Sequence, residues 1–527
     1  MGRDTGAGPG RPVTVSSGKE RRARTLERLG GESFDLLVVG AGIVGSRVAY
    51  EAARNGLRVA LVDAGDFGGA TSSASSKLIH GGLRYLRLLQ LGLVREALAE
   101  RRALLTRVAP HLVRRQPFLL PFYRGGPWHP VTVGAGLLLY AGLAGFGQGP
   151  VRMLGPGRAR AYAPLLRQDG LRAAGLFEDA QTDDARLCLA TVTAAAEAGA
   201  AVLNHAAVTA FHHAGSAIRA AAVHSLEGAE VTVACRAVVN AAGPWVDQVR
   251  RLDDPGASPL VRLSKGIHLT LPGEEELRTA LIIPVDRTRV SFAIPWQGLL
   301  LLGTTDTAYE GDPGRVEATA EDVGTVLGEA GLALPAAMLQ PGRVRFRFAG
   351  LRALPTGEGE TAQASREHRI AVSRTGLVSV AGGKLTTHRL IAVDALRRLP
   401  PAVLGRGRSI RPDDTPLPGA GTPVFPPDGA GADPELRAHL ARIYGARAGA
   451  VLAYAEREPG ALERIHPQGP DVLAQAAYAI DAEWAGTVED LARRRTTLSL
   501  RGLGGEEVRA RLQALLVSKG ADLPQPS

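Results

Sequence analysis

Two apolar runs flank a helical pattern near the beginning of the chain. Residues 35–39 (DLLVV) are apolar after the first position, as in a buried strand, and residues 43–54 place apolar side chains at helical spacing. The dipeptide Asn55-Gly56 predicts the end of that helix, and a second apolar run follows at residues 58–62. The order of these patterns predicts a strand, a helix and a second strand, which form the βαβ unit of a parallel sheet.

The turn between the first strand and the helix has the pattern G-x-G-x-x-G, at Gly40, Gly42 and Gly45. In such a turn the first glycine permits a tight bend, the second lets backbone approach a pyrophosphate, and the third lets helix and strand pack closely. The second strand ends in Asp63, which is placed to bond a ribose hydroxyl. We therefore predict a dinucleotide site, although the spacing does not separate FAD from NAD.

Two later segments repeat the arrangement of a strand followed by small residues. Residues 237–243 (AVVNAAG) have the pattern of a buried strand that ends in Ala242 and Gly243, where a ligand or another backbone can come close. Residues 376–396 run from a strand through Gly382-Gly383 into a helix whose free N–H groups would face a negative charge. Three such strand ends predict one extended ligand in the crevice of one sheet.

A dense polar segment, TSSASSKLIHGGLRYL at residues 71–86, follows the first βαβ unit directly. Thr71, Ser72 and Ser76 have hydroxyls that could contact a pyrophosphate. Gly81-Gly82 would let a ring system approach the backbone. The segment therefore extends the predicted ligand site beyond the glycine-rich turn.

Residues 131–146 (VTVGAGLLLYAGLAGF) form the longest apolar stretch, and it is a little short for a membrane-spanning helix. Its glycines favour a segment buried in the core, and contact with a membrane surface is the alternative. Residues 1–32 predict a flexible basic tail that becomes weakly helical after Gly18. A transit peptide is the alternative there, and the acidic residues of the tail argue against it.

The charge of the chain favours an anionic partner. The 527 residues carry a formal net charge of +10, which suits a nucleic acid, an acidic membrane surface or a phosphorylated substrate. A nucleic-acid partner is disfavoured because aromatic residues make up only 5% of the chain and the basic residues are scattered. The length predicts about two to four domains.

The cysteines predict neither a disulfide framework nor a metal site. Cys188 and Cys235 lie neither in a C-x-x-C pair nor beside histidines at ligand spacing. We expect both to be small buried residues in a protein of a reducing compartment, with no bound metal.

Seven motifs in chain order resemble the FAD-dependent glycerol-3-phosphate dehydrogenases, the membrane-associated respiratory enzymes rather than the soluble NAD-linked ones. The motifs are TSSASSKLIHGGLRYL (71–86), LFEDAQTDDARL (176–187), VVNAAGPWVD (238–247), SKGIHL (264–269), IPW…GTTDTAY (294–309), FAGLRALP (348–355) and AGGKLTTHR (381–389). The resemblance covers about residues 34–396 and continues into IDAEWAGTVEDLARRRT (480–496). One departure is Asp63, where this type of flavoprotein usually has Glu.

The pattern and the resemblance together imply an α/β fold. It consists of an FAD-binding, Rossmann-like doubly wound domain, an inserted antiparallel-sheet substrate domain around residues 261–305, and a C-terminal helical domain. The expected division is a tail (1–32), a catalytic body (33–410), a Pro/Gly-rich linker (411–433) and the helical domain (434–527). Within the body, the expected FAD segments are about 33–112, 178–250 and 350–400.

The resemblance also implies the activity. It implies non-covalent FAD, oxidation of sn-glycerol 3-phosphate to dihydroxyacetone phosphate, and electron transfer to a membrane quinone. The protein would lie in the cytoplasm, attached peripherally to the anionic inner face of the membrane, and could be a homodimer. No D-x-D-x-D-G calcium loop occurs in the sequence, which indicates the bacterial type.

Four other functions remain open at this level. A glycerol-3-phosphate oxidase that uses oxygen would share the substrate site. An amine or amino-acid oxidase fits less well, because several cations suit a phosphate better than a carboxylate. An RNA-modifying or RNA-binding flavoprotein and a non-catalytic flavin-binding scaffold are the remaining alternatives.

The site residues that the resemblance implies fall into three groups. The catalytic group is His268 as proton acceptor, with His80 as its competitor, together with Arg352 and Lys384. The substrate-binding group is Arg84, Tyr85, His268, Arg352 and Lys384. The cofactor-binding group is Gly40, Gly42, Gly45, Asp63, Thr71, Ser72, Ser76, Lys77, His80, Gly81, Gly82, Ala242, Gly243, Gly383, Lys384, Leu385 and Thr386.

Overall fold

The computed structural model describes residues 17–82, 90–145, 149–356, 368–405, 410–425, 431–521 and 523–524. The strands in these ranges are β1 (Ser33–Phe34), β2 (Leu36–Val39), β3 (Val59–Val62), β4 (Leu78–Ile79), β5 (Arg114–Tyr123), β6 (Arg152–Leu154), β7 (Leu171–Gln181), β8 (Ala201–Leu203), β9 (Ala206–Ala214), β10 (Ala217–Ser225), β11 (Glu230–Cys235), β12 (Val238–Asn240), β13 (Val261–Pro272), β14 (Ala280–Pro284), β15 (Val290–Trp296), β16 (Leu299–Gly303), β17 (Thr307–Tyr309), β18 (Phe346–Pro355), β19 (His368–Val372) and β20 (Leu377–Gly382).

The α-helices in the same ranges are α1 (Gly18–Gly31), α2 (Ile43–Arg54), α3 (Leu91–Ala103), α4 (Pro130–Leu143), α5 (Pro156–Tyr162), α6 (Asp184–Glu197), α7 (Val246–Asp253), α8 (Ala320–Ala330), α9 (His388–Leu396), α10 (Pro401–Leu404), α11 (Pro434–Tyr444), α12 (Ala448–Leu452), α13 (Leu473–Ala482), α14 (Val488–Asp490) and α15 (Glu506–Ser518).

The predicted βαβ unit lies at the centre of a six-stranded sheet with the order β19-β20-β12-β2-β3-β8. The strands from β20 to β8 are parallel, and β19 pairs antiparallel to β20 at the edge. The strands β2 (LLVV) and β3 (VALV) are apolar and buried at every position, as expected for parallel strands covered on both faces. One face packs against α2, α6 and α9, and the other packs against a four-stranded sheet of order β1-β11-β10-β9. The predicted doubly wound domain is confirmed.

The predicted antiparallel sheet is also present and is larger than residues 261–305. Its order is β17-β13-β16-β15-β14-β5-β7-β4, with β18 paired to β13 and β6 paired to β7. The pairing is antiparallel except between β14 and β5. Because β4 lies in this sheet and follows the βαβ unit directly, the segment that precedes β4 connects the two domains.

The helix α1 corrects the prediction of a flexible tail through residue 32. The Ser17 hydroxyl accepts a hydrogen bond from the Glu20 N–H at 3.3 Å and caps the helix. Leu29 is fully buried, and Arg22 forms an ion pair with Glu227 at 2.6 Å. Residues 18–31 are therefore packed on the body, because burying this helix face outweighs the loss of chain entropy. Residues 1–16 lie outside the described residues.

The segment 410–425, which includes most of the predicted linker, packs against the nucleotide domain. Ile410 and Leu417 are buried in the same core as α2 and α9. Asp413 accepts a hydrogen bond from the Tyr50 hydroxyl at 2.8 Å, and its backbone carbonyl accepts one from Arg389 at 2.9 Å. The Pro/Gly-rich composition therefore encodes an extended segment that is anchored to the nucleotide domain.

The C-terminal part of the chain is helical, as predicted, and it contacts the nucleotide domain through buried charges. Asp66, which follows β3, pairs with Arg494 and with Arg495 (2.6 Å), and Asp490 pairs with His205 at 2.9 Å. Asp66, His205 and Asp490 lie close enough to suggest a cation site. The two guanidinium groups already compensate the Asp66 charge, so this cluster is an ionic domain contact.

The helix α4 corrects the prediction of a buried segment at residues 131–146. Leu137 and Tyr140 are buried, whereas Val131, Leu138 and Leu139 are 74%, 59% and 42% exposed. Phe146 lies outside the described residues. Within the described ranges, the helices are too short or too polar to cross a bilayer.

Both cysteines are buried, as predicted, and neither is in a disulfide. Burial raises the pKa of each thiol, Cys188 and Cys235, to about 12. They therefore act as small packing groups.

Candidate active site

The glycine-rich turn packs as its spacing predicts. Gly40 has φ +96°, and a Cβ there would lie 2.7 Å from the carbonyl oxygen of Ala241 after β12. A Cβ on Gly45 would lie 1.9 Å from the Gly40 carbonyl oxygen. Neither position tolerates a side chain, because strand end, helix and neighbouring strand meet without a gap.

The N-terminus of α2 is open to an anion. Gly42 precedes the helix and supplies no capping side chain. The Ile43 N–H donates to the Ser72 hydroxyl at 3.0 Å, and a Cβ on Gly42 would lie 3.1 Å from that same oxygen. Ser72 therefore lies where the pyrophosphate was predicted, beside the partial positive charge of the helix.

Asp63 is held by the backbone at the end of β3. Its two carboxylate oxygens accept hydrogen bonds from Ala41 N–H at 2.6 Å and from Gly65 N–H at 2.9 Å. Burial raises the pKa of the Asp63 carboxyl to about 6, and the two N–H donors oppose that rise. The Asp63 carboxylate, which is shorter than the usual Glu, thus has a fixed orientation at the position expected to bind the ribose.

Three residues of the segment 71–77 that were predicted to contact the cofactor have partners within the protein. The Thr71 hydroxyl donates to the Leu351 carbonyl at 2.6 Å, and the Ser76 hydroxyl lies 2.8 Å from Nε2 of His268. Lys77 is buried and pairs with Asp184. The contacts of Thr71 and Ser76 with a pyrophosphate stay predictions, and in this structure both hydroxyls bond the large sheet instead.

The segment His80–Gly82 joins the beginning of α9 to the body. The His80 N–H donates to the Thr386 hydroxyl at 3.1 Å, and that hydroxyl donates to the His80 carbonyl at 3.3 Å. The Gly82 N–H donates to Nδ1 of His80 at 3.1 Å. A Cβ on Gly81 would lie 2.4 Å from the Tyr140 hydroxyl. The space beside this glycine is therefore filled by the Tyr140 side chain rather than left for a ligand ring.

The ends of β12 and β20 provide the space that their small residues predict. Gly243, which follows Ala242, has a φ of +53°, and a Cβ on Gly243 would have no neighbouring atom within 4 Å. Gly383 has φ +117° and precedes the half-buried Lys384 and Leu385. At the N-terminus of α9, the buried Thr387 hydroxyl has no hydrogen-bond partner among the described residues. A buried polar atom of this kind is expected to have a partner, which a bound ligand would supply.

His268 and Arg352 lie on one face of the large sheet. In the antiparallel pair β13–β18, Ser264 is opposite Arg352, Gly266 is opposite Gly350, and His268 is opposite Phe348. Directly opposed residues and positions two apart share a face. The two predicted functional side chains are therefore separated by a pair of glycines.

The Arg352 guanidinium is anchored at one edge and 35% exposed. Its Nη1 and Nη2 both donate to the Thr305 carbonyl at 3.2 Å, and Nη2 also donates to the Thr304 hydroxyl at 3.1 Å. Asp306 accepts from Nη1 at 3.4 Å. A Cβ on Gly266 would lie 2.5 Å from Nη2, so the guanidinium occupies space that only a glycine leaves free.

His268 lies on a strand, as predicted, but it is deeper than a residue that lines an open pocket. It is 3% exposed and stacks on Phe348 with ring centroids 5.2 Å apart. Burial, together with the nearby charges of Arg352 and Lys77, lowers the pKa of His268 to about 3. The ring is therefore neutral near pH 7 in the absence of substrate.

Some site residues were missed although they lie within the recognised motifs. Thr304 and Asp306 belong to GTTDTAY, Gly266 to SKGIHL, and Asp184 to LFEDAQTDDARL. Their places within these motifs were the available signal, but their partners are far away in sequence. Arg84 and Tyr85 lie outside the described residues, so their predicted contacts with substrate stay predictions.

Comparison with known proteins decides the family. The family model of FAD dependent oxidoreductases matches residues 35–392, and that of the C-terminal domain of alpha-glycerophosphate oxidase matches residues 396–517. A glycerol-3-phosphate dehydrogenase of Mycobacterium leprae is 37% identical over 500 residues, which cover 92% of this chain and 84% of the relative. A glycerol-3-phosphate dehydrogenase of Synechocystis is 35% identical over 511 residues, 90% of this chain and 91% of the relative.

The chain belongs to the FAD-dependent glycerol-3-phosphate dehydrogenases. The crystal structure of the glycerol-3-phosphate dehydrogenase from Bacillus halodurans, complexed with FAD, agrees with this fold. It has a TM-score of 0.75 and 27% identity, and the match covers 95% of this chain and 97% of that one.

As a member of this family, the chain is an oxidoreductase whose cofactor is FAD. The structure offers residues that fit the cofactor. Gly40, Gly42 and the N-terminus of α2 would hold the pyrophosphate, and Asp63 would bind the adenosine ribose. The free space at Gly243 and the unpartnered Thr387 hydroxyl lie at the two other strand ends that one extended ligand would span.

Proposed function

We propose that this protein oxidises sn-glycerol 3-phosphate to dihydroxyacetone phosphate and passes the electrons to a membrane quinone. The observation that carries the proposal is the shared sheet face of His268 and Arg352, which places a neutral base near a fixed cation. A phosphorylated secondary alcohol needs both groups, one for the hydroxyl proton and one for the phosphate.

Arg352 is the main phosphate ligand in this proposal. Its anchors, the Thr305 carbonyl and the Thr304 hydroxyl, fix the plane of the guanidinium before substrate arrives. A fixed fork of N–H donors binds a phosphate with two parallel hydrogen bonds and loses little entropy in doing so. Lys384, at the turn into α9, would supply a second positive charge.

His268 is the proton acceptor in this proposal. Bound FAD would supply the hydride acceptor for carbon 2, and oxidation of the alcohol also requires a group that takes the hydroxyl proton. A neutral imidazole takes that proton, whereas an imidazolium cannot. Binding of the phosphate dianion beside Arg352 would offset the positive charge that lowers the pKa of His268.

The site of membrane contact that we propose is the outer face of α4. Val131, Leu138 and Leu139 are exposed, and Met153 of β6 adds a fourth side chain that is 44% exposed. Residues 131–145 contain no charged side chain, and the chain has a net charge of +10. An apolar helix face on a cationic protein suits the surface of an anionic bilayer.

An anaerobic experiment tests the reaction and the electron acceptor. Purified protein is mixed with sn-glycerol 3-phosphate, and the visible absorbance of the flavin is followed. We expect rapid bleaching that a quinone analogue reverses and that oxygen reverses slowly. Rapid reversal by oxygen would favour the oxidase, and no bleaching with FAD bound would refute the substrate.

A vesicle experiment tests the membrane surface. Leu138→Gln should weaken flotation with vesicles that contain an anionic phospholipid, while leaving flavin reduction unchanged. Val517→Gln is the matched control, because Val517 on α15 is 58% exposed and Leu138 is 59% exposed. Equal flotation of the two variants would refute α4 as the contact.

A further inference from the structure

The imidazole of His268 is buried and contacts the Ser76 hydroxyl. The residue is 3% exposed. Its Nδ1 is buried and has no hydrogen-bond partner among the described residues, while the Ser76 hydroxyl covers Nε2 at 2.8 Å. Ser76 itself is only half-buried. The buried imidazole is therefore hydrogen-bonded to the hydroxyl of a residue that is itself partly exposed.

The position of the Ser76 hydroxyl is enforced by its neighbours. Asp184 accepts hydrogen bonds from the Ser75 N–H at 3.1 Å and from the Ser75 hydroxyl at 2.7 Å, and it pairs with Lys77. Lys77 has φ +58°, an uncommon conformation for a residue with a side chain. The Lys77 carbonyl also accepts from the Thr182 N–H at 2.8 Å. Such a conformation persists where surrounding contacts over-determine it, and here it directs Ser76 towards His268.

We infer that Ser76 relays the proton from the substrate hydroxyl to His268. The substrate O–H bond breaks and its proton passes to Ser76 Oγ, while the proton of Ser76 passes to Nε2 of His268. The C2–H bond breaks at the same stage, its electron pair leaves as hydride for FAD, and the C2–O bond becomes a carbonyl. The inference rests on the proposed function, because it requires His268 as the final acceptor.

The charges around the imidazole favour its neutral form before the reaction, as the relay requires. Arg352 on β18 and Lys77 beside Ser76 both oppose an imidazolium, and each is paired with an acid, Asp306 and Asp184 respectively. The relay requires the tautomer in which the ring proton is on Nδ1, so that Nε2 accepts the Ser76 O–H. A serine hydroxyl can donate and accept at once, which a relay requires.

Four variants test the relay by anaerobic flavin reduction at saturating sn-glycerol 3-phosphate. Ser76→Ala removes the hydroxyl, and Ser76→Thr restores one. Ser73→Ala is the matched control, because the Ser73 hydroxyl bonds the nearby Ala70 carbonyl at 3.4 Å. His268→Gln tests the final acceptor. We expect Ser76→Ala to slow reduction by about 10²-fold with KM and FAD content unchanged, and Ser76→Thr to recover most of the rate.

The solvent isotope effect gives a second readout, because a purely structural change would not alter it. The wild-type reduction rate should vary with deuterium content as expected for two protons in transit, and Ser76→Ala should lose that dependence. If the flavin reduction rate of Ser76→Ala stays within twofold of the wild-type rate while His268→Gln is slow, the relay is refuted and His268 is still supported as the base. If His268→Gln is also unchanged, the proposed base is wrong and the relay is refuted with it.

Discussion

The replacement of Gly266 by Ala tests the phosphate site without removing a charge. The added Cβ would lie 2.5 Å from Nη2 of Arg352 and 2.6 Å from the Thr304 hydroxyl, both far inside van der Waals contact. Gly266 has no left-handed φ, so alanine is compatible with the backbone. The expected consequence is a displaced guanidinium on an otherwise intact sheet.

The expected rise in KM follows from the hydrogen bonds to phosphate that would be lost when the Arg352 guanidinium is displaced. A hydrogen bond to a charged group contributes about 1.5–3 kcal/mol. Loss of one of the two expected bonds from Arg352 to the phosphate would therefore raise KM by about 10-fold to 150-fold. Arg352→Ala, which removes both bonds, should raise KM further while FAD stays bound.

Steady-state kinetics with a quinone analogue would measure KM, and the flavin absorbance of the purified protein would measure FAD content. Gly324→Ala is the control, because a Cβ at Gly324 in α8 has no neighbouring atom within 4 Å. An unchanged KM in Gly266→Ala together with a raised KM in Arg352→Ala would refute the steric reasoning. An unchanged KM in both variants would refute Arg352 as the phosphate ligand.

Further predictions concern proton transfer, pH dependence and the domain contact. His268→Gln should slow flavin reduction by about 10²-fold with little change in KM, and a change in KM alone would contradict the base role. Burial lowers the pKa of His268 and of His388 to about 3. Their neutral forms therefore contribute stability that is present above the unfolded pKa near 6.5 and is lost as the pH falls towards 3. Urea unfolding at pH 7 and pH 5 should show a smaller loss in His388→Gln than in wild type. Asp66→Asn should lower the free energy of unfolding by about 3–5 kcal/mol, because Arg495 loses its buried carboxylate partner and Arg494 keeps only Asp490. An unchanged melting temperature would contradict that expectation.

The long apolar stretch shows where hydropathy was insufficient. Residues 131–146 were expected in the core, yet α4 buries Leu137 and Tyr140 and exposes most of its other large side chains. Hydropathy records the free-energy gain available from burial, but it does not record which neighbours exist to bury a given face. The Pro/Gly-rich residues 411–425 show a related limit of composition. It does not reveal that Asp413 hydrogen-bonds to Tyr50 of α2, or that Leu417 is buried in the core beside that helix.

The site residues divide in the same way. His268 and Arg352 were identified from their motifs, and the register of β13 and β18 brings them to one sheet face. The partners of His268 could not be found by spacing, since Ser76 lies 192 residues away along the chain. Ser76 was expected to contact a pyrophosphate because it lies among other serines. The contacts of Asp184 and the φ of Lys77 turn it towards the imidazole instead.

The sequence by itself determined the βαβ unit, the glycine-rich turn and the three small-residue strand ends. Those features depend on local conformation, on the absence of a Cβ and on burial patterns that repeat within a few residues. Only the tertiary structure decided that α1 packs on the body, that α4 presents an apolar face and that Ser76 covers His268. These outcomes depend on contacts between residues that are remote in the chain, whose distances are set by sheet order and register rather than by spacing.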